Sequence, residues 1–440
     1  MGATGANRWW SRIQPGERRG VVWAVIWLYF ILLGYFIVRP VREMMGTIGG
    51  TQQLQILFLA SFLAMLAAVP VYSALVAWLP RRWLVRVVYH FFAACLFGFW
   101  LLMQIDTPSV QTWTARIFFV WVSMFGLFST SVFWSVLADL FNSNQGKRLF
   151  GLIAAGGTAG AITGSLVTSQ LASYLSTSSL LLLPIAVIEA GLWCAWRLER
   201  QAGALRSADP NQSRQQDRTS DNPTGGGLLS GITHVIQSPY LASICIFLFF
   251  VQACGTQIYF EQAEIVNSVI AAKESRTQLF AYLDLGTQVL TLFVQTVLSG
   301  VIMRRLGMSV SLMILPIVYF LGFTSLALHQ SLSVLVVTII ATRATGYGIT
   351  VPAREVLFTV VSREDKYKSK SFIDTVVLRG GDTLSGQVFG SLRGLGFSLP
   401  GMNLLALPIT ALWAFVAWRL GRRQRQLAIE NSAVTVPGQG

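Results

Sequence analysis

Residues 21–46 read VVWAVIWLYFILLGYFIVRPVREMMG. The uninterrupted apolar stretch from Val21 to Val38 is, at helical rise, about 27 Å long, close to the thickness of a bilayer's hydrocarbon core. It reads as a membrane span. Two arginines, Arg39 and Arg42, close it. Three residues apart, they share one helical face, with Glu43 one turn from Arg39. Arg42 lies about 31 Å from Val21 along the helix axis. Charge at a span's far end is costly unless it snorkels, pairs or binds something, so the stretch poses a choice between an anchor and an anion site.

The whole chain shares this character. Of 440 residues, 53% are hydrophobic and only 12% charged, where a soluble domain carries about a quarter charged. The expected fold class is an all-α polytopic membrane protein. The formal net charge of +14 fits basic cytoplasmic loops on anionic lipid. No basic, aromatic-interleaved module calls for nucleic acid. The four cysteines, Cys95, Cys194, Cys245 and Cys254, sit in apolar segments at unrelated spacings, which points away from disulfides and metal sites. His90, His234 and His329 are scattered and read as structural or interfacial. Arg8, Arg12, Arg18 and Arg19 precede a span too long for a signal-peptide core, giving an uncleaved signal anchor.

Twelve apolar segments are expected, at 17–42, 54–79, 84–104, 113–140, 148–174, 179–198, 239–268, 278–302, 307–328, 331–360, 370–396 and 401–420. Arg81, Arg82 and Arg86 follow the second, Lys147 and Arg148 the fourth, Arg304 and Arg305 the eighth, Lys366 and Lys368 the tenth, and Arg422 and Arg423 the twelfth. Apart from Lys273 and Arg276, the opposite loops carry almost no Lys or Arg. The positive-inside rule then puts both termini in the cytoplasm.

Residues 199–238, rich in Arg, Gln, Ser, Asp and Gly, have the composition of a disordered linker with a short surface helix at its end. The expected organisation is a six-helix bundle over 1–198, this cytoplasmic linker, a second six-helix bundle over 239–420, and a disordered cytoplasmic tail over 421–440. A weak internal repeat agrees: Lys370, Phe372 and Gly386 lie 222 residues beyond Arg148, Phe150 and Gly164. Two parallel halves of six spans suggest, by analogy of topology, a major-facilitator-like architecture.

Two glycine stripes, Gly156/Gly160/Gly164 and Gly386/Gly390/Gly394, have the spacing that lets helices approach closely. A phosphate-binding loop would need Gly-Lys-Ser/Thr after a strand, and neither is present. Charges inside apolar segments carry the functional argument. Arg343 lies about 18 Å into the tenth span. Arg379 and Asp382, three apart in VVLRGGDTLSG, fall near the middle of the eleventh, with Asp374 nearer its start. Glu261 and Glu264 occupy the seventh span in QIYFEQAEIV, Asp284 the eighth, Glu189 the sixth, and Asp139 ends the fourth. Mutual neutralisation within the bundle would explain Asp139 and Asp284, and no partner is evident for Glu189. Mid-membrane arginines are functional by default, and guanidinium forks pair bidentately with phosphate or carboxylate. Arg39, Arg42, Arg343 and Arg379 are therefore the expected substrate-binding residues. Asp139, Glu261, Glu264, Asp284, Asp374 and Asp382 are the gating or coupling candidates. Phe133, Trp134, Tyr259 and Phe260 could stack on a base, though core packing is their commoner use. No nucleophile–base pair, metal-ligand set or cofactor motif is visible, so no enzyme, metal or cofactor is expected.

The stretches FIVRPVREMMG, FWSVLADLFNSNQGKRLFGLIAAGGTAGA, YFEQAEIV and RATGYGITVPAREVLFTVVSREDKYKSKSFIDTVVLRGGD, with the twelve-span layout, resemble the ATP/ADP antiporter (nucleotide transporter) family, in its shorter bacterial branch. The resemblance implies that Arg42 and Arg379 take positions where that family has Lys, and that Asp139 takes the position of a family Glu. Arg for Lys preserves charge but changes geometry. The resemblance and the intramembrane arginines together imply a secondary active transporter of an anionic metabolite, a nucleotide or other phosphorylated compound, working by alternating access in a bacterial inner membrane. ATP/ADP-type exchange is one form of this. A proton-coupled exporter of organic or amphipathic compounds, with Glu189, Glu261 and Glu264 facing a cation, and a lipid flippase remain as alternatives. So does a non-transporting scaffold, whose intramembrane charges would all pair internally. The expected partners are the lipid bilayer and a small anionic substrate, and a monomer is expected.

Overall fold

The computed structural model describes residues 13–141, 143–201, 238–361, 369 and 373–434, and these are helical with no strand among them. Twelve long helices follow one another: α1 (Arg18–Gly46), α2 (Gly50–Trp78), α3 (Arg81–Leu102), α4 (Pro108–Leu140), α5 (Ser143–Leu171), α6 (Leu182–Arg200), α7 (Pro239–Val269), α8 (Lys273–Arg305), α9 (Gly307–Leu328), α10 (Leu332–Val360), α11 (Leu378–Gly394, entered through a π-helical turn at Ile373–Val377) and α12 (Leu399–Val434). Among the described residues eleven helices are long and apolar enough to cross a membrane. The twelfth, α11, is absent from these and carries Asp374, Arg379, Asp382 and Arg393 within its two segments.

Local sequence accounts for the helix starts. Pro108 and Pro239 occupy first-turn positions where a missing N–H costs nothing. The Ser238 and Ser331 side chains accept from the Leu241 and Val334 amides. Two expected boundaries need correction. The first span runs on through Pro40 to Gly46. The last runs to Val434, where a disordered tail from 421 was expected. Its extension is built from good helix formers, and Arg423 donates to Gln426 and pairs with Glu430 at 3.6 Å. The expected linker and its surface helix lie almost wholly outside the described residues, as do residues 435–440 and the lysines of the loop after α10.

The chain forms two compact units whose membership is not sequential. The first takes residues 1–48, 63–223 and 271–285; the second takes 49–62, 224–270 and 286–440. The expected six-plus-six division therefore does not describe the contacts at α2 and α8. Polar bonds explain the exchange. The start of α8 is held in the first unit by Arg276 donating to Thr47 (2.9 Å) and Gln278 donating to the Ser169 carbonyl (2.9 Å). The start of α2 is held in the second by Gln55 and Gln387, each donating to the other's backbone carbonyl at 3.1 Å.

In the first unit α5 lies against α1 backbone to backbone. A Cβ at Gly156, Gly160 or Gly164 would sit 2.6, 2.2 or 2.6 Å from the carbonyl oxygens of Val25, Tyr29 and Leu33, one turn apart on both helices. The expected close-packing role holds for this stripe. The second stripe differs: Gly386 receives the Phe260 ring, Gly390 receives the Gln55 side chain, and a Cβ at Gly394 would meet nothing within 4 Å. The aromatic candidates are mostly packing residues, as their commoner use predicts. Phe133 is buried against Trp27, Trp134 lies edge-on to Phe150, and Phe260 is buried between Phe58 and Phe389.

Candidate functional site

Charges in the first unit converge at the end of α1. Arg39 reaches Asp284 of α8 at 3.3 Å and Glu43 at 3.8 Å, and Arg42 reaches Glu43 at 3.0 Å. Both acids are buried, at 4% exposure for Glu43 and 2% for Asp284. Arg42 also donates to the Phe119 carbonyl (3.2 Å) and lies 4.0 Å from the centroid of that residue's ring. Two guanidinium groups thus meet two carboxylates in a low-dielectric setting, which binds the four side chains to one another. Lys273 and Arg276, the basic residues that broke the loop pattern, belong to the same region. Arg276 is buried and bonded to Thr47 at the end of α1, so it is an element of the bundle rather than a loop charge.

In the second unit the organising element is the stretch QACGTQIYFEQAE, residues 252–264 of α7. Its polar side chains fan out to three neighbours at helical spacing. Gln252 and Thr256, one turn apart, donate to Asp382 of α11 at 2.7 and 3.2 Å. Gln257 donates to Asn403 of α12 (3.1 Å), and Asn403 donates to Glu261 (2.9 Å). Gln262 accepts from Arg343 of α10 (3.2 Å). Glu264 takes a bidentate bridge from Arg393 of α11.

Asp382, held by α7, stands 3.9 Å from Arg379 one turn earlier on α11. That contact is ionic but longer than a hydrogen bond. Arg379 is 49% exposed. Its planar fork of five N–H donors is thus oriented by one carboxylate without being saturated by it.

The two units handle one structural position in opposite ways. Leu378, Asp382 and Gly386 follow Gly156, Gly160 and Gly164 at the repeat offset. Their α7 partners Gln252, Thr256 and Phe260 match Val25, Tyr29 and Leu33 of α1. In the first unit this register is closed by glycine against backbone. In the second it is opened by a carboxylate and its donors, beside an exposed arginine.

The remaining expected residues are scattered. Asp374 pairs with Arg354 at 2.7 Å in an exposed position at the start of α11. Asp139 is exposed at the end of α4. Glu189, for which the sequence suggested no partner, faces His90 at 3.6 Å, both about half exposed. Arg39 and Arg42 lie together in the first unit, Arg343 and Arg379 both in the second.

The family model of the Major Facilitator Superfamily matches residues 18–371. The chain belongs to the Major Facilitator Superfamily. It is a multi-pass membrane transporter, not an enzyme. No curated protein matches it by sequence. Solved structures of the superfamily match over nearly the whole chain. A crystal structure of the nucleoside transporter NupG has 16% identity and a TM-score of 0.58, covering 97% of this chain and 100% of that one. A bacterial homologue of the human lysosomal transporter Spinster, inward-facing and unoccupied, has 14% identity and a TM-score of 0.57, covering 94% and 99%. A POT family transporter in complex with 5-aminolevulinic acid has 10% identity and a TM-score of 0.60, covering 92% and 96%. At such identities the likeness is one of fold.

Sequence reading missed Gln252, Gln262, Arg354, Arg393 and Asn403 as partners of the intramembrane acids and arginines. A signal existed: Gln252 lies one turn before Thr256, and Gln257 one turn before Glu261, within an apolar helix, a costly placement in lipid unless each finds a partner.

Proposed function

We propose that this transporter moves an anionic metabolite, a nucleotide or another phosphorylated compound, by alternating access, and that Arg379 is its principal anion contact. One observation carries the reading: Arg379, in the first turn of α11, is half exposed and stands 3.9 Å from the Asp382 carboxylate, beyond hydrogen-bond distance. An anionic ligand is the partner that such an unsaturated bidentate fork suits. Arg343 donates to the amide oxygen of Gln262, which orients its guanidinium; it is the second contact. Arg39 and Arg42 enter as the cationic half of a network with Glu43 and Asp284. This makes them gating residues that ion-pair exchange can open, rather than open anion contacts. Asp382, Glu264 and Asp374 act as ion-pair partners of Arg379, Arg393 and Arg354, and Asp139 keeps its place as a gating candidate.

ATP/ADP-type exchange is one form of this reading, supported by the resemblance of LRGGD and FIVRPVREMMG to the nucleotide transporters. The proposal includes a bacterial inner membrane, both termini cytoplasmic, supported by the loop charges, and a monomeric unit of transport. Uptake of labelled ATP, ADP and sugar phosphates into proteoliposomes tests it, with a thermal-shift screen of the same compounds. Saturable uptake or stabilisation, lost in Arg379→Ala, is the expected result. Indifference to every anion overturns the reading.

A second reading, export of amphipathic compounds or movement of lipid, is favoured by a different feature. A cavity of about 570 Å³ in the first unit is lined almost wholly by apolar groups of α2, α3 and α4, among them Val71, Leu75, Phe91, Phe92 and Phe128. Stabilisation by lipophilic cations or phospholipids, with none by anions, would favour it over the first.

A further inference from the structure

We infer that Glu261 is a proton-binding site: a buried carboxyl group that takes up a proton from the aqueous phase and returns it, changing the hold of Arg393 on α7. The inference rests on the transport reading above and adds the coupling ion to it.

Four acids are buried among the described residues: Glu17, Glu43, Glu261 and Asp284. Three meet arginine. Glu17 pairs with Arg148 at 2.5 Å, Glu43 with Arg42 at 3.0 Å, and Asp284 with Arg39 at 3.3 Å. Glu261, 1% exposed, is different. Its hydrogen-bond donor among the described residues is the neutral amide of Asn403, itself completely buried and held by Gln257. An ionised carboxylate buried in a bilayer helix without a paired cation is costly, and protonation removes that cost. Asn403 donates to one oxygen of the group but brings no charge to it.

The charged surroundings are few. Glu264 and Arg393 act on Glu261 electrostatically. From α10 comes Arg343, bonded to Gln262. From α12 comes Asn403, and α2 contributes the ring of Phe58 beside Tyr259 and Phe260. Arg393 is the cation that can respond. Its fork is now committed to Glu264, and its remaining nitrogen donates to the Phe397 carbonyl just beyond α11. Loss of the proton from Glu261 gives Arg393 a second carboxylate three residues earlier on α7, in competition with Glu264. The protonation state of one buried group then biases how α7 and the end of α11 are clasped, which is the differential a coupled cycle requires. Glu264, 29% exposed, lies toward the end of the helix and offers the route by which a proton enters.

The test uses the full-length protein in proteoliposomes. Infrared difference spectra between alkaline and acidic pH are compared for the native chain, Glu261→Gln and Glu264→Gln. The expected result is a protonated-carboxyl band that titrates in the native chain and in Glu264→Gln and is lost in Glu261→Gln. The isosteric Asn403→Asp variant should shift the midpoint of that band. Identical spectra for the native chain and Glu261→Gln overturn the inference, as does a band unmoved in Asn403→Asp. The thermal-shift screen with ATP and inorganic phosphate on the same preparation separates the two readings. Anion binding without the band removes the proton site alone. The band without anion binding removes the anion reading and leaves Glu261 in place.

Discussion

Arg39 of α1 and Asp284 of α8 lie 3.3 Å apart, with Asp284 only 2% exposed, although 245 residues separate them in the chain. This pair, with Arg276 bonded to Thr47, is why the first turns of α8 belong to the first unit. Removing one partner of a buried pair strands the other charge, at a cost of about 3–5 kcal/mol. Asp284→Asn should therefore lower the unfolding temperature in detergent markedly. Adding Arg39→Gln to it should recover part of the loss, because the two residues form one network. Additive losses would show that the pair is not coupled.

Gly160 is the tightest point of the α1–α5 contact, with a virtual Cβ 2.2 Å from the Tyr29 carbonyl oxygen. Gly160→Ala should push two helix backbones apart and destabilise by about 1–3 kcal/mol or more. Gly394→Ala, with open space around it, should change stability by no more than about 0.5 kcal/mol. Thermal melts of the two variants side by side check the contrast; equal melts would contradict the packing.

Arg379→Ala should abolish anion uptake while leaving expression and melting temperature near native, since the guanidinium is half exposed and no hydrogen bond ties it among the described residues. Arg379→Lys should retain partial uptake with weaker binding, because a point charge replaces a bidentate fork. Asp382→Asn keeps the contacts of Gln252 and Thr256 but removes the charge that orients Arg379. It should therefore impair transport more than stability. Uptake measured against surface expression separates the three.

The Arg354–Asp374 bridge, at 2.7 Å with Asp374 44% exposed, should matter little to stability. Exposed pairs contribute about 0–1 kcal/mol. Asp374→Asn should leave the melting temperature nearly unchanged in high salt. A large loss would mean that the pair fixes the opening turn of α11.

The glycine stripes show how sequence can fix a pattern without fixing its use. Both have the same spacing, and the first seals α5 to α1 as that spacing suggests. The second instead accommodates Phe260 and Gln55, because its neighbours at the matching positions carry bulky or polar side chains. Likewise, the mid-span charges were legible as costly, but their partners were not. Glutamine, threonine and asparagine are uncharged, and nothing in their local pattern says which helix they face.

Composition and hydropathy by themselves determined that the chain is an all-helical, polytopic membrane protein, because a bilayer leaves little other choice to a long apolar run. They also singled out Arg39, Arg42, Arg343 and Arg379, since charge within such a run is conspicuous. Only the tertiary structure decided what each arginine does. Ion pairing depends on which helices touch, and contacts such as Arg39 with Asp284 join residues that no local periodicity relates. Folding gave Arg39 and Arg42 buried acids as partners and gave Arg379 an orienting aspartate with half its surface open. It left Glu261 enclosed with a neutral amide.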